Sequence, residues 1–361
     1  MGTIAAVPHT GLGMAASRLS QTGRPARVTE ALYCPPAVRD DPGLAETVQQ
    51  RLDAWAAGVG LAPGPAAGLG RLAVLAHPDT DDAGRLEVAA RLLAVGRVLA
   101  AGAMGASEAD LLRRAPERSG APQDSPAAAA SAAAASPAGA VGEALAQIYD
   151  GCDVPDDALP SHLDLADPAR AGLAGVAAPA LLSAMAGLGG LPASPYQVAR
   201  VRAECEALSA AAPTATVSGP RPPWEYLSLG HVNAYSPALA ALDAVDGYEL
   251  SPSSSGDPEL RRAQRLAALA AALLHDIASP APSGLTAAIA RAEGLTAGAA
   301  GRRAAQVHDE AMRAFQHHAT QLAGSADPST RRYLAGLWTW LGGHRTWHAV
   351  CEHAVAEHPA P

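Results

Sequence analysis

Two clusters of polar residues have spacings that could serve a metal site. The first, HPDTDDAGR, holds carboxylates at Asp79, Asp81 and Asp82, and hard cations such as Mg²⁺ bind carboxylate oxygens. The same residues follow a proline and precede an apolar helical segment, and acidic side chains at a helix start interact favourably with the positive end of the helix dipole. We therefore interpret this cluster as a helix start, with Asp79 or Thr80 as the N-cap.

The second cluster is LLHDIASPAPSG, in which an apolar helical pattern runs into polar residues and two prolines. A continuous helix would place His275, Ser279 and Ser283 on one face. Pro280 cannot donate a hydrogen bond to the carbonyl oxygen of Asp276, and a proline inside a helix costs about 3 kcal/mol. We therefore expect the helix to end here, so that Ser283 does not share a face with His275.

Histidines near the C-terminus are a third candidate. His344 and His348 in HRTWH are four residues apart, so a helix would place both on one face and they could form a two-histidine metal pair. A hydrolytic zinc site would also need a Glu beside the first histidine, and Arg345 stands there. We favour a structural or solvated pair.

Composition and missing motifs argue against several function classes. The net charge of -9 and the lack of a basic stripe argue against nucleic acid and anionic membrane surfaces as partners. No segment reaches the roughly 18 apolar residues of a membrane span, and the N-terminus lacks a signal-peptide pattern. Four scattered cysteines without a CxxC pair fit a reducing, cytoplasmic environment. No GxSxG, GxGxxG or GxxxxGK[ST] motif appears in a strand-to-helix setting, so hydrolase and nucleotide-binding classes lose support.

The elements that must position these residues are predicted to be helices. ETVQQRLDAWA places Val48, Leu52 and Trp55 on one stripe, and no run shows sustained β alternation. Further helices are expected over 168–187, 195–211, 222–245, 258–279, 285–293, 299–323 and 328–354. Short connections between them indicate antiparallel neighbours in a single all-α bundle.

Shifts in composition suggest the boundaries of this bundle. Residues 1–28 are rich in small and polar residues and in prolines, so we expect a mobile N-terminal tail. Residues 29–354 would form one α domain, interrupted by an alanine-rich, low-complexity insertion at about 115–138. Residues 355–361 would form a C-terminal tail.

Four blocks of the sequence together resemble the bacterial class I terpene synthases, or terpene cyclases, of the 2-methylisoborneol synthase type. In chain order they are LYCPPAVRDDPGL, GRLAVLAHPDTDDAGRL, PPWEYLSLGHVNAYSPALAALDAVDGYEL and YLAGLWTWLGGHRTWH. The resemblance covers most of residues 32–354 and implies an all-α bundle around a deep pocket. In that pocket Mg²⁺ ions and basic side chains would bind a prenyl diphosphate and trigger its ionisation, because a diphosphate leaves only when its charge is neutralised.

The resemblance assigns the first metal motif to the end of the helix that follows HPDTDDAGRL. Ala100 and Ala101 stand where the paired aspartates are expected, and neither side chain can bind a metal. Glu108 and Asp110 are possible surrogate acids a few residues further on, although their register differs from that of the lost pair.

The second metal motif of the family, Asn-Asp-x-x-Ser-x-x-x-Glu, corresponds to four residues of the polar cluster: His275, Asp276, Ser279 and Ser283. Asp276 and Ser279 match the motif. His275 offers a nitrogen, a poor ligand for a hard cation, and Ser283 lacks the terminal carboxylate.

The diphosphate-binding positions that the resemblance implies have also changed. Gly230 corresponds to the diphosphate-sensing arginine, His353 and Ala354 correspond to a C-terminal Arg-Tyr pair, and Pro282 replaces a basic residue. The resemblance therefore predicts the scaffold with degenerate metal and diphosphate motifs.

Three hypotheses follow. The first is a pseudoenzyme that has lost Mg²⁺-dependent diphosphate ionisation. The second is a divergent cyclase acting on geranyl or 2-methylgeranyl diphosphate, with Glu108, Asp110, Asp276 and Ser279 as an improvised metal site. The third is a non-catalytic partner of a true cyclase, or a cargo of a protein shell, that docks through the N-terminal tail.

Overall fold

The computed structural model describes most of the chain as helices joined by short connections. The described residues are 28–61, 63–104, 173–215, 222–281 and 284–357. The helices within them are α1 (Val28–Ala31), α2 (Pro42–Gly58), α3 (Pro63–Ala66), α4 (Leu69–Ala76), α5 (Ala83–Met104), α6 (Leu173–Gly190), α7 (Pro195–Ala215), α8 (Pro223–Leu229), α9 (Ser236–Ala240), α10 (Leu242–Val245), α11 (Pro252–Gly256), α12 (Pro258–Ala278), α13 (Leu285–Glu293), α14 (Ala297–Ala323) and α15 (Pro328–Glu357).

No strand occurs in these ranges, so the predicted all-α bundle is confirmed. None of the described helices is both long and apolar enough to cross a bilayer. The last helix continues to Glu357, beyond the boundary predicted at residue 354. The predicted insertion at about 115–138 and residues 1–27 lie outside the described ranges.

Close helix packing depends on glycines at the centre of the bundle. Helices α2, α4 and α5 pack against one another, and α15 packs along α4. A Cβ atom at Gly343 would lie 2.4 Å from the backbone oxygen of Leu75, and one at Gly96 would lie 2.0 Å from the backbone oxygen of Ala234. Both distances are shorter than van der Waals contact, so α4 and the loop before α9 can approach these helices only where the side chain is hydrogen.

The acidic cluster forms a helix start, but its N-cap is not the one predicted. Helix α5 begins at Ala83, and the Asp82 carboxylate accepts hydrogen bonds from the Gly84 and Arg85 amides at 2.8 and 3.3 Å. The prediction of Asp79 or Thr80 as N-cap is wrong, because the Thr80 hydroxyl accepts from the Asp82 amide at 3.2 Å and holds a turn before the helix. The remaining acids form ion pairs: Asp81 with Arg39, and Asp79 with Arg332 at 3.6 Å.

The segment predicted as one helix over 222–245 is instead three short helices, α8, α9 and α10. Asn233 lies in the loop between the first two, where its side-chain amide donates to the carbonyl oxygens of Gly230 and Ala268, each at 2.8 Å. Its side-chain oxygen accepts from the Tyr235 amide at 2.8 Å. Because these bonds replace helical ones, the chain turns here and directs Tyr235 into the core.

Candidate functional site

The C-terminal end of α12 carries the residues that correspond to the second metal motif. The helix ends at Ala278, and Ser279 leaves helical geometry with φ -131° and ψ 71°, while its amide donates to the carbonyl oxygen of His275 at 2.8 Å. Pro280 follows directly and cannot continue the helix, as expected. Ser279 is exposed at this end, and Ser283 and Pro282 lie outside the described residues.

Asp276 is buried and joins two neighbouring helices through its Oδ2 atom. Its carboxylate accepts hydrogen bonds from the Tyr226 hydroxyl on α8 and from the Leu285 amide, at 3.1 Å, on the first residue of α13. The N-cap of α13 is Gly284, which has no side chain to accept that bond, so Asp276 caps α13 from a different helix. Burial raises the pKa of Asp276, and the two hydrogen bonds offset part of that rise.

His275 is half-buried and packs with five buried rings into a group that we call the histidine–aromatic cluster. Its members come from α12, α15 and the residue that precedes α9: His275, His344, His348, Tyr235, Trp340 and Trp347. The ring of Tyr235 joins the histidines of the two helices, with its centroid 4.5 Å from that of His344 and 6.1 Å from that of His275. The centroids of His275 and His348 are 5.3 Å apart.

The predicted one-face arrangement of His344 and His348 is present, and the pair is structural because both rings are buried. Their Nε2 atoms are 3.2 Å apart, which is a hydrogen-bond distance for one N–H donor and one nitrogen acceptor. A neutral pair can make this bond, whereas two imidazolium ions would repel each other. The bond therefore disfavours protonation of both rings at once.

The surroundings of the cluster also favour neutral imidazoles. Burial lowers the pKa of His275 to about 4 and that of His348 to about 2, and it lowers the pKa of His344 well below its ordinary value. The Arg97 guanidinium on α5 adds to each of these shifts, and it lies 5.1 Å from the centroid of the Trp347 ring. The cluster is thus uncharged at neutral pH and lies beside a fixed positive charge.

The positions of the first metal motif lie one helical turn beyond Arg97. Ala100 and Ala101 belong to the last turns of α5, and an alanine methyl group offers no ligand atom. Glu108 and Asp110, the possible surrogate acids, lie outside the described residues.

The diphosphate-binding positions are not rebuilt in the described part of the chain. Gly230 is the C-cap of α8, and a Cβ atom there would lie 2.8 Å from the Leu269 Cδ1 atom, so a larger side chain requires Leu269 to shift. His353 and Ala354 belong to α15, and neither residue type is the arginine or tyrosine that the resemblance implies.

The donor set does not fit Mg²⁺, which requires oxygen ligands in octahedral geometry. His275 presents imidazole nitrogens beside Arg97, and the Oδ2 atom of Asp276 accepts from both Tyr226 and Leu285, which leaves Oδ1 as the one oxygen of this carboxylate outside those two bonds. Within the residues that the structure describes, no group of three or more His, Cys, Asp or Glu side chains could hold a metal ion.

The contacts within the histidine–aromatic cluster could not be predicted from the sequence, although one pair of its members could. The spacing of His344 and His348 predicted a shared helical face. Nothing in the local sequence connected that pair with His275 on α12 or with Tyr235, because those contacts arise only when the two helices and the Asn233 loop pack together.

Comparison with known proteins identifies relatives of one kind. No family model matches the chain. The chain is 38% identical to the 2-methylisoborneol synthase of Saccharopolyspora erythraea over 136 residues, and 32% identical to that of Streptomyces griseus over 134 residues. Each match covers 35% of this chain, and they cover 38% and 31% of the two relatives. The matched segment therefore spans about a third of the curated relatives' length.

Similarity to solved structures extends over most of the chain. The 2-methylisoborneol synthase of Streptomyces coelicolor A3(2), in complex with Mg²⁺ and geranyl-S-thiolodiphosphate, is 25% identical with a TM-score of 0.65, and the superposition covers 88% of this chain and 94% of that one. The same enzyme with Mg²⁺ and 2-fluoroneryl diphosphate gives the same identity and TM-score. The resemblance inferred from the four sequence blocks is confirmed.

Proposed function

The chain has the helical fold of the class I terpene synthases and is related to the 2-methylisoborneol synthases, and from this premise we propose that it is a pseudoenzyme of that family. It keeps the bundle but has lost Mg²⁺-dependent ionisation of a prenyl diphosphate. The observation that carries the proposal is His275: the first ligand position of the second metal motif is a neutral imidazole packed against Tyr235 and His348.

Electrostatics at the same place supports the proposal. A Mg²⁺–diphosphate complex needs anionic oxygen ligands on the protein to position the metal ions. Here the Arg97 guanidinium is the one permanently charged group that lowers the pKa values of all three histidines, His275, His344 and His348. A cation next to neutral nitrogen donors disfavours a divalent metal ion.

The divergent-cyclase alternative is less well supported, because it requires Asp276 and Ser279 as metal ligands. Coordination through Oδ2 of Asp276 would leave the Tyr226 hydroxyl and the Leu285 amide without an acceptor, at a cost of about 1–3 kcal/mol for each group, so only Oδ1 is open to a metal ion. Ser279 is exposed where α12 has already ended. The docking role predicted for residues 1–28 stays a prediction, since the residues before Val28 lie outside the described ranges.

Diphosphate release tests the proposal. The purified chain is incubated with Mg²⁺ and either geranyl or 2-methylgeranyl diphosphate, with the 2-methylisoborneol synthase of Streptomyces coelicolor as the positive control. We expect neither diphosphate nor a volatile terpene above the level of a reaction without protein. Turnover above that level would overturn the proposal, and its loss in Asp276→Asn would then assign the improvised metal site.

A further inference from the structure

A cavity of about 410 Å³ lies between α7 and α12, apart from the histidine–aromatic cluster. We call it the α7–α12 groove. Its charged wall consists of Arg200 and Glu204 from α7 and Arg261 and Arg265 from α12. None of the ring residues of the cluster lines it. Its volume lies within the roughly 300–1,000 Å³ typical of small-molecule pockets.

Arg200 at the base of the groove has a hydrogen-bond donor to spare. Its guanidinium forms an ion pair with the buried Asp243 and donates to the carbonyl oxygen of Ala240 at 2.7 Å. Its Nη1 atom is buried and has no hydrogen-bond partner among the described residues. A buried donor without a partner is costly, so a shift of this side chain that lets Nη1 meet an acceptor oxygen of a ligand would be favourable.

The two arginines of α12 bring charge that the groove neutralises only in part. Arg261 donates only to the carbonyl oxygen of Ser255, at 3.3 Å, and Arg265 makes no hydrogen bond or ion pair with any described residue. Both side chains lie at the exposed edge of the groove, where they can move to meet a ligand. Guanidinium groups bind carboxylate and phosphate oxygens in a bidentate manner.

Glu204 sets how much positive charge remains. Its carboxylate accepts from the Gln264 side chain at 3.3 Å, and burial raises its pKa while the three arginines lower it in part. Because Asp243 offsets Arg200, the groove carries one excess positive charge when Glu204 is ionised and two when it is protonated. A monoanion or dianion would therefore complete the charge balance.

The rest of the groove lining is mainly aliphatic. Its surface is formed mainly by small side chains, which are Ala199, Ala203, Ala207, Val232 and Ala268. Such a wall buries a short alkyl body but offers no hydrogen bond to it. We propose that the α7–α12 groove binds a small molecule with an oxyanion head, either a carboxylate or a phosphate ester, and a short aliphatic body. This site is independent of the proposed loss of diphosphate ionisation.

Binding of defined probes to the full chain tests this site. Isothermal titration calorimetry is run with hexyl phosphate, hexanoate and hexanol at low salt. We expect at least one of the two anions to bind with one-to-one stoichiometry and hexanol to show no saturable binding. The two anions distinguish a phosphate ester from a carboxylate as the preferred head group.

Variants of α12 provide the matched control. Arg265→Gln removes a guanidinium that lines the groove, whereas Arg262→Gln removes one from an exposed position of the same helix that does not line it. We expect Arg265→Gln to weaken anion binding about 10-fold or more, as for loss of a charged hydrogen bond, and Arg262→Gln to change it less than about 2-fold. Any one of three results would overturn the proposal. The two variants weaken binding equally, hexanol binds as strongly as the anions, or neither anion binds at millimolar concentration.

Discussion

Acidification from pH 7.5 to 5.0 should destabilise this protein through the histidine–aromatic cluster. The pKa values of His275, His344 and His348 are all lowered in the folded state, two of them to about 4 and about 2, from an ordinary value of 6.5. The unfolded chain therefore binds protons below pH 6.5 that the folded chain does not. The stabilisation contributed by neutral burial is complete above pH 6.5 and is lost as the pH falls towards the folded-state values.

The size of this loss of stability follows from the same linkage between protonation and folding. At pH 5.0 an unfolded histidine with a pKa of 6.5 favours the unfolded state by about 2 kcal/mol, so three such groups give about 6 kcal/mol. Asp276 and Glu204 have raised pKa values and oppose this trend, because their folded forms take up protons as the pH falls. We expect a net loss of about 3–6 kcal/mol, a large part of the roughly 5–15 kcal/mol that stabilises a typical domain.

Urea unfolding followed by circular dichroism at pH 7.5, 6.5, 5.5 and 5.0 measures this loss directly. His348→Gln removes one titrating ring, so the variant should lose about 2 kcal/mol less than the parent over this range. The control is His317→Gln, since His317 is exposed on α14, and it should keep the parent's pH dependence. The reasoning fails if the parent's free energy of unfolding is constant over this range, or if His348→Gln retains the parent's full slope.

Substitutions at three positions and one labelling experiment test helix packing, capping and burial. Gly96→Ala places a methyl group against the Ala234 backbone oxygen and should lower the free energy of unfolding by about 1–3 kcal/mol or more. Gly301→Ala on α14, where a Cβ meets nothing within 4 Å, should raise it by up to about 1 kcal/mol in the same urea titration. Asp276→Ala should lower the free energy of unfolding by about 2–4 kcal/mol, because it leaves the Tyr226 hydroxyl and the Leu285 amide without an acceptor. Asp276→Asn retains an acceptor oxygen and should lower it less. Equal losses in the two variants would contradict the capping role. Burial raises the pKa of the Cys34 and Cys205 thiols to about 12, so mass spectrometry should find both unmodified by iodoacetamide at pH 8 until urea is added.

The helices were predictable because their apolar periodicity is local. Val48, Leu52 and Trp55 lie on one face of α2 and all three are buried, as their spacing indicates. The end of α12 was also predictable, since Pro280 acts on the backbone of its own segment. In both cases the physical cause lies within a few residues of the element that it shapes.

The two wrong predictions, the N-cap of α5 and the single helix over 222–245, have a different cause. The Thr80–Asp82 turn moved the start of α5, and the side-chain bonds of Asn233 divided the segment over 222–245. Polar side chains of this kind can bond to the backbone in several ways, and the surrounding tertiary structure selects among them. Sequence periodicity does not show which of these bonds will form, so the loop that positions Tyr235 was not predicted.

The two residues that still match the second metal motif are explained by the fold. Asp276 caps α13 and accepts a hydrogen bond from Tyr226. A hydrogen-bond acceptor at position 276 therefore stabilises the α12–α13 connection whether or not a metal ion binds. Ser279 is the C-cap of α12, a position that tolerates a small polar residue. Matching residues at these positions therefore carry little evidence for metal binding.

The positions whose role would be only ligation, 100 and 275, hold a methyl group and a packed imidazole. Arg97 adds a positive charge beside them. Replacing His275 alone by an oxygen ligand would leave both the cation and the missing carboxylates of α5 in place. The proposed loss of the metal site would thus involve several helices at once, so no single substitution in α12 is expected to restore ionisation.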